Sequence, residues 1–384
     1  MSARIAKLPH LPHVPADQED EDGDEDSEAA DSLGSLPGSG MGPPAMPAVT
    51  QRVREQKPPN PAFAPISASG FFADAFQVSV PSIELDARVY YTPPVVPPGR
   101  SPSSTSVMVC HHGAGSSALS FACFAREVTD LTKGECGVLA IDARRHGKTT
   151  SSGSDENLSI DILSSDLCAL LGKLFPDPKA SPTIVLVGHS MGGAVVVRAC
   201  PLLLASGYKI VGVAVLDVVE GTAIEALPHM NSLLNARPDG FASVEDAVEW
   251  HLKTKAIHNP TSARISVPSI IVPSPSSHTR STGINYIWRT PLRSTAPYWS
   301  EWFTNLSSLF LATRTARLLV LAGTDRLDKP LTIGQMQGKF QMEVIPATGH
   351  HLHEDDPTRL AEILVEFWRR NDRVVTGVKK VGEL

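Results

Sequence analysis

The sequence is poor in cysteine, in aromatic residues and in long apolar runs, and its charge shows no basic excess. Five cysteines occur among 384 residues without a CxxC pair, which argues against a disulfide scaffold and a cysteine zinc site. No run approaches the roughly 18 apolar residues of a membrane-spanning helix, and the N-terminal residues MSARIAKLPHLPH contain no apolar signal-peptide core. These absences predict an intracellular protein, in the cytoplasm, the nucleus or both, that is not secreted.

The net charge of −7 is concentrated near the N-terminus. The first 60 residues hold 5 Lys and Arg against 11 Asp and Glu, whereas the remaining 324 hold 29 against 30. A body without basic excess is a poor candidate for binding nucleic acid or an anionic membrane through electrostatics. We therefore expect neither kind of partner.

Residues 1–65 have the composition of a disordered tail. They contain the acidic run DQEDEDGDEDSE (17–28) and the Gly-, Pro- and Ser-rich stretch GSLPGSGMGPPAMP. Such a segment cannot bury enough apolar surface to offset the entropy lost on ordering. We expect a solvated tail, and a docking arm for a basic partner is the alternative.

From residue 106 onward, short apolar runs alternate with stretches that have helical periodicity. The runs are continuous in Val, Ile and Leu, which is typical of strands covered on both faces: VMVC (107–110), GVLAID (137–142), TIVLVGH (183–189), IVGVAVLD (210–217), RLLVLAGTD (317–325) and FQMEVIP (340–346). Strands that alternate with helices predict an α/β fold with a mostly parallel central sheet and helices on both faces. The predicted core comprises residues 66–217 and 316–372, followed by a tail at 373–384.

About 100 residues between the fourth and fifth of these runs interrupt the alternation. They contain a helical pattern (243–256), few strand signals and a Pro- and Ser-rich segment (268–280) that we expect to be a loose loop. A long insertion after a strand of such a sheet is best placed over the carboxyl edge, where ligands bind. We therefore predict a cap over residues 218–315.

The strongest motif is TIVLVGHSMGGA, in which Gly188-His-Ser190-Met-Gly192 matches GxSxG between a strand and a helix. Ser190 must occupy a strained turn so that its Oγ stands clear of the sheet, and the two glycines leave room for neighbouring chain. The following helix points its N-terminal N–H groups at the reacting oxygen. The motif predicts a catalytic serine at residue 190.

Another strand ends in His111-His112-Gly113-Ala114-Gly115, an HG-type loop like those that complete an oxyanion hole. We expect the N–H of Ala114, with Gly113 as its neighbour, and the N–H of Met191 to be the two donors of the oxyanion hole. The paired histidines have no carboxylate or cysteine at ligand spacing, so we expect no metal there.

Candidates for the catalytic base and acid follow from the chain order Ser, Asp, His, which is typical of hydrolases with a GxSxG motif. His350 opens the loop after the last predicted strand, with His351 and His353 as competitors. Asp217 and Asp325 each end a strand, and either could orient the histidine ring. The commonest arrangement takes the acid after the later strand, so spacing alone favours Asp325 slightly.

Several strings together are far more specific than GxSxG. GHSMGGA, LDVVEGTA, DARRHGKT, YWSEWF, LAGTDRLDKPLTIGQMQGKFQ and GHHLHED resemble the protein phosphatase methylesterases over residues 65–370. These are α/β-hydrolases that remove the methyl ester from the C-terminal leucine of the type 2A phosphatase catalytic subunit. The resemblance implies a nucleophile at Ser190, a base at His350 and an acid at Asp217, with no cofactor and a monomeric enzyme. It departs from the family at Ala114, where a third glycine is usual.

The segment LTIGQMQGKF (331–340) is not needed by the triad, yet it matches this family almost letter for letter. Two glycines weaken it as a helix, so we expect a short helix end or a projecting loop. An unbranched Met suits insertion into an irregular groove. The resemblance predicts that Gln335, Met336 and Gln337 contact the phosphatase. The alternative functions are a small-molecule esterase or lipase, and a non-catalytic protein that binds and inhibits the phosphatase.

Overall fold

The computed structural model of the chain describes residues 58–99, 101–154, 156–275, 283–323 and 327–372. Within these residues, eight main strands form one sheet in the order β1-β2-β4-β3-β5-β6-β7-β8. The strands are β1 (Asp74–Val80), β2 (Leu85–Thr92), β3 (Ser106–His111), β4 (Cys136–Ile141), β5 (Thr183–His189), β6 (Ile210–Leu216), β7 (Ala316–Leu321) and β8 (Gln341–Val344). The six strands from β3 to β8 are parallel, as predicted.

The central strands are apolar throughout because helices cover both faces of the sheet. Val109 pairs with Leu139 on one side and Leu186 on the other, and all three are fully buried. The core helices are α1 (Ala122–Thr132), α2 (Ile160–Leu174), α3 (Met191–Ala205), α9 (Lys329–Met336), α10 (Leu352–Asp355) and α11 (Pro357–Asn371). Helices α2 and α3 pack on one face, and α1 and α11 pack on the other.

The continuous apolar runs in the sequence do not include the first two strands, β1 and β2. These strands form an antiparallel hairpin, and β2 also pairs antiparallel with β4. The hairpin turns through a short 3₁₀ helix at Pro81–Ile83 and through Glu84, whose φ is 54°. Strand β1 lies at the sheet edge, and three of its four exposed positions are polar: Asp74, Gln77 and Ser79. The strand therefore contains no continuous apolar run.

The predicted cap segment between β6 and β7 is mainly helical in its described residues. Its helices are α4 (Glu220–Asn235), α5 (Val244–Lys253), α6 (Pro260–Ser266), α7 (Trp299–Phe303) and α8 (Leu306–Ala312). The expected loose loop at 268–280 is wrong in its first part, since Ile271–Pro273 pairs with Tyr286–Trp288, which also pairs with Gly240–Phe241. Residues 276–282 lie outside the described part of the chain.

The predicted tails fall mostly on residues that the structure does not describe, namely 1–57 and 373–384. Residues 58–65 differ from the expectation of disorder. Pro61–Phe63 forms a 3₁₀ turn, and Arg264 on α6 donates its Nε–H to the carbonyl of Ala64 at 2.7 Å. The ordered body therefore begins before residue 65. Across the described ranges, no helix has the length and apolar character required to cross a membrane.

Candidate active site

Ser190 lies at a sharp turn between β5 and α3. Its φ of 50° and ψ of −119° place it in a region that non-glycine residues rarely adopt. The turn is held by the Ser190 N–H, which donates to the Leu216 carbonyl at 3.0 Å. A Cβ on Gly188 would lie 2.2 Å from the Gly192 carbonyl oxygen, and one on Gly192 would lie 2.2 Å from that of His111. The GxSxG spacing therefore reflects two backbone crossings that exclude side chains.

His350 and Asp217 form a hydrogen-bonded pair beside this turn. His350 Nδ1 lies 2.7 Å from Asp217 Oδ2, while Asp217 Oδ1 accepts the Ala322 N–H at 2.8 Å. The Asp217 N–H donates to the Val320 carbonyl, also at 2.8 Å. The carboxylate is 10% exposed and the imidazole 52% exposed. The ends of β6 and β7 thus fix the carboxylate, and the ring remains accessible from the cavity.

The competing residues have other environments. Asp325 lies outside the described residues. His351 Nδ1 lies 3.1 Å from the Ala256 carbonyl, and burial lowers the pKa of its ring to about 3. His353 is fully buried between Phe121 and His189, and burial holds its pKa well below the usual value. Among the three histidines of this loop, His350 is therefore the one paired with a carboxylate.

A cavity of about 460 Å³ joins these groups. Ser190, His350 and Asp217 line it together with three residues of the predicted oxyanion site, Gly113, Ala114 and Met191. Apolar side chains from the cap and from the chain after β6 form much of the remaining wall: Val218, Val219, Ala223, Ala226, Leu227, Met230, Leu233, Leu234, Leu292, Trp299, Trp302 and Phe303. The cavity therefore offers a polar end at the serine and an apolar lining beyond it.

The loop after β3 approaches the serine closely. A Cβ on Gly113 would lie 3.2 Å from the Ser190 Cβ and 2.7 Å from His189 Nδ1. Backbone-to-ring hydrogen bonds hold the loop, since Gly115 N–H donates to His146 Nε2 at 2.9 Å and Ala143 N–H donates to His112 Nε2 at 3.0 Å. His112 and His146 therefore brace the loop. No group of three or more His, Cys, Asp and Glu side chains is arranged for metal binding in the described parts of the chain.

His189 was missed by the sequence analysis because the motif leaves its position free. Its Nε2 lies 2.8 Å from the carbonyl oxygen of His350, so the ring touches the loop that carries the base. Burial holds the pKa of His189 well below its ordinary value, and neighbouring histidines lower it further. A neutral ring that donates through Nε2 fits this contact. Spacing carried no signal for it, since the contact joins residues 161 positions apart.

The predicted partner segment lies away from the cavity. Met336 is the last residue of α9 and is 84% exposed, which agrees with the expected helix end. Gln335 Nε2 lies 3.6 Å from the sulfur of Met342 near the start of β8. A Cβ on Gly334 would lie 2.6 Å from Leu311, so this glycine permits close packing of α9 on α8. The residues described around the cavity do not include Gln335, Met336 or Gln337.

Comparisons with known proteins identify the fold and the family. A model of the alpha/beta hydrolase family matches residues 108–363. Solved structures with similar folds include E-2-(acetamidomethylene)succinate hydrolase, with a TM-score of 0.57 and 16% identity over 77% of this chain and 99% of the other. A thioesterase domain from the curacin biosynthetic pathway has a TM-score of 0.55 and 17% identity, over 76% of this chain and 99% of the other. These structures support the fold.

Curated relatives are far more similar in sequence. Protein phosphatase methylesterase 1 of Cryptococcus neoformans is 51% identical over 83% of this chain and 81% of the relative. The proteins of that name in Aspergillus fumigatus and Schizosaccharomyces pombe are each 43% identical, over 80% and 71% of this chain and 73% and 77% of their own lengths. This chain is a carboxylic ester hydrolase of the α/β-hydrolase fold, and it belongs to the protein phosphatase methylesterase family.

Proposed function

We propose that the protein is a serine esterase that demethylates the C-terminal leucine methyl ester of the type 2A protein phosphatase catalytic subunit. One cavity supports this function, because it is lined both by a serine on a strained turn and by a histidine that is hydrogen-bonded to a nearly buried carboxylate. The names of the relatives, all protein phosphatase methylesterases, support the substrate class.

In this mechanism Ser190 Oγ attacks the ester carbonyl and His350 takes its proton through Nε2. Asp217 accepts the hydrogen bond from His350 Nδ1, which selects the tautomer and stabilises the imidazolium that forms. His350 then protonates the departing methoxide oxygen, and methanol leaves an acyl-enzyme. Water activated by the same histidine releases the free carboxylate and restores Ser190.

The tetrahedral intermediate needs donors for its oxyanion. We assign the N–H groups of Met191 and Ala114 to this role, with Gly113 as the neighbour that allows the loop to approach Ser190. Met191 is the first residue of α3, so its N–H lies at the positive end of the helix dipole. An alanine at position 114 keeps its backbone donor, and the family's usual glycine is not required for it.

The cavity wall suits the acyl side of this substrate. Apolar side chains such as Leu227, Met230 and Trp299 can cover a leucyl side chain, and burial of its surface contributes about 25 cal/mol per Å². A methyl leaving group offers little surface for recognition. Selectivity must therefore come from the acyl end and from docking of the folded phosphatase.

We place part of that docking surface at Gln335, Met336 and Gln337. Met336 is 84% exposed and Ile333 is 44% exposed, so an apolar strip faces solvent at the end of α9. This strip lies beside the start of β8, whereas Ser190 follows β5 at the carboxyl edge. The phosphatase would thus contact a broad surface. The enzyme is expected to act as a monomer in the cytoplasm, the nucleus or both, without a cofactor.

The test is methyl release from the methylated phosphatase catalytic subunit, compared with hydrolysis of a short p-nitrophenyl ester. Wild-type protein should demethylate the phosphatase, and Ser190→Ala should bind it without releasing the methyl group. Hydrolysis of the small ester alone would favour a small-molecule esterase. Binding by both forms without methyl release by either would favour a non-catalytic inhibitor.

A further inference from the structure

The loop that carries His350 is tied to the cap through a buried carboxylate. Asp355, on α10, is 1% exposed, and its Oδ2 accepts the N–H of Gly349 at 2.7 Å. The same carboxylate reaches the cap segment before α6, where Oδ1 accepts the His258 N–H at 2.7 Å and Oδ2 lies 3.0 Å from His258 Nδ1. One side chain therefore joins the residue before the base to the cap.

Two further contacts follow the same route. His351 Nδ1 lies 3.1 Å from the Ala256 carbonyl, and Ser262 Oγ donates to the Glu354 carbonyl at 2.7 Å. The base loop and α10 thus contact the cap over residues 256–262. The loop also contains Ala347 with φ of 62°, a left-handed conformation that costs energy in a non-glycine residue. Such a conformation persists when surrounding contacts over-determine it.

We propose that Asp355 is a positioning residue for His350, which it holds by tying Gly349 to the cap at His258. The proposal rests on the proposed role of His350 as the base. A buried carboxylate that accepts several N–H bonds forms strong, charge-assisted contacts. Its loss leaves the Gly349 N–H without this acceptor and removes the contacts of the base loop with His258, while the contacts at Ala256 and Ser262 remain. The imidazole, itself half-exposed, then moves relative to Ser190, and movements of the cap reach the base through the same contacts.

The test compares kcat and KM for a p-nitrophenyl ester in the full chain. Asp355→Ala should lower kcat about 100-fold, because a displacement of about 1 Å misaligns proton transfer, while KM changes little. Asp356→Ala is the matched control, since that neighbouring carboxylate accepts the Arg359 N–H at the start of α11. Its kcat should stay near wild type. Wild-type kcat in folded Asp355→Ala would overturn the proposal.

A double mutant separates positioning from general damage. In an Asp217→Asn background His350 has already lost its orienting carboxylate, so adding Asp355→Ala should lower kcat much less than 100-fold. If Asp355→Ala lowers kcat by the same factor in the Asp217→Asn background as in the wild type, Asp355 does not act through His350. Activity that persists in Ser190→Ala would instead contradict the proposed triad, so the two failures are distinguishable.

A milder variant keeps the proposal testable if Asp355→Ala does not fold. His258→Ala removes the ring contact and keeps the bonds of Asp355 to Gly349 and to the backbone N–H of residue 258. We expect kcat to fall about 10-fold, again with little change in KM and with non-additivity toward Asp217→Asn. An unchanged kcat in this variant would contradict a tie between Gly349 and the cap that depends on the His258 ring.

Discussion

At the scale of single residues, the proposed site depends on side chains whose environments differ sharply. Asp217 directly follows β6 and has φ of 50°. One of its carboxylate oxygens accepts the backbone N–H of Ala322, which follows β7, and the other is hydrogen-bonded to His350. This environment keeps the carboxylate fixed and oriented. The neighbouring His353 is fully buried and His351 is half-buried with its Nδ1 beside the Ala256 carbonyl, so proximity in sequence to the base did not give them its role.

We expect Asp217→Asn to lower kcat about 10⁴-fold, because an amide cannot stabilise the imidazolium and favours the wrong ring tautomer. Asp325→Asn is the matched control, and it should keep kcat within a few-fold of wild type. Steady-state hydrolysis of a small ester by both folded variants decides between them. The reverse pattern would return the acid to the position after β7.

Gly188→Ala tests the close backbone packing at the turn that carries Ser190. The added Cβ would lie 2.2 Å from the carbonyl oxygen of Gly192, which is backbone that cannot rotate away. We expect a loss of about 1–3 kcal/mol in the free energy of unfolding and a strong loss of activity. Gly70→Ala is the control, since no atom of the described residues lies within 4 Å of its added Cβ. Equal stability of the two variants in denaturant unfolding would refute the close crossing.

At the scale of elements, the sequence predicts the parallel strands and misses the parts fixed by long-range pairing. Strands β3, β4 and β5 are continuous apolar runs because both faces are covered, and such runs are visible in one dimension. The edge hairpin β1–β2 and the three short cap strands lack that signal. Likewise, Ser190 can be predicted from a local motif. The choice of Asp217 over Asp325 required the family resemblance, and the contact of His189 became visible only in the folded structure.

The exposed end of helix α9 can be tested as a docking surface. Met336→Asp should weaken binding of the phosphatase at least about 10-fold, because a charge would replace an apolar contact at its exposed tip. Small-ester hydrolysis and stability should remain near wild type. Val95→Asp, at a 63% exposed apolar residue on the loop after β2, is the control and should bind normally. Unchanged binding by Met336→Asp would remove α9 from the docking surface.

At the scale of the whole molecule, topology assembles the site from distant parts of the chain. Residues 190, 217 and 350 follow three different strands whose carboxyl ends lie along one sheet edge, and the cap supplies the apolar wall. Several titratable groups are buried in the same interior. Burial lowers the pKa values of His111 and His146 to about 4, and it raises that of Glu354 to about 8.

These groups predict a stability that depends on pH. Buried histidines stay neutral in the folded protein while the unfolded chain protonates below about pH 6.5, so the free energy of unfolding should fall as pH drops from about 6.5 toward 4. Glu354 acts in the opposite direction, because the unfolded chain loses that proton near pH 4.5 and the folded protein loses it near 8. Urea unfolding across pH 4–8 measures both effects.

Glu354→Gln isolates the carboxyl contribution. The stability of this variant relative to wild type should increase as pH rises from about 5 to 8, because only the wild-type carboxyl group is linked to proton release on unfolding. Below pH 5 the two proteins should show the same decline, which the histidines cause. Parallel stability curves across the whole range would contradict a buried, protonated Glu354.

Ser190 is proposed as the nucleophile that attacks the methyl ester of the phosphatase. The most direct measurement is to follow demethylation while a fluorophosphonate reacts with the enzyme, and then to map the modified peptide. We expect one label per chain, at Ser190, and a loss of phosphatase demethylation in proportion to labelling. Full demethylating activity in completely labelled enzyme, or a label at another residue that tracks the loss, would contradict this role of Ser190.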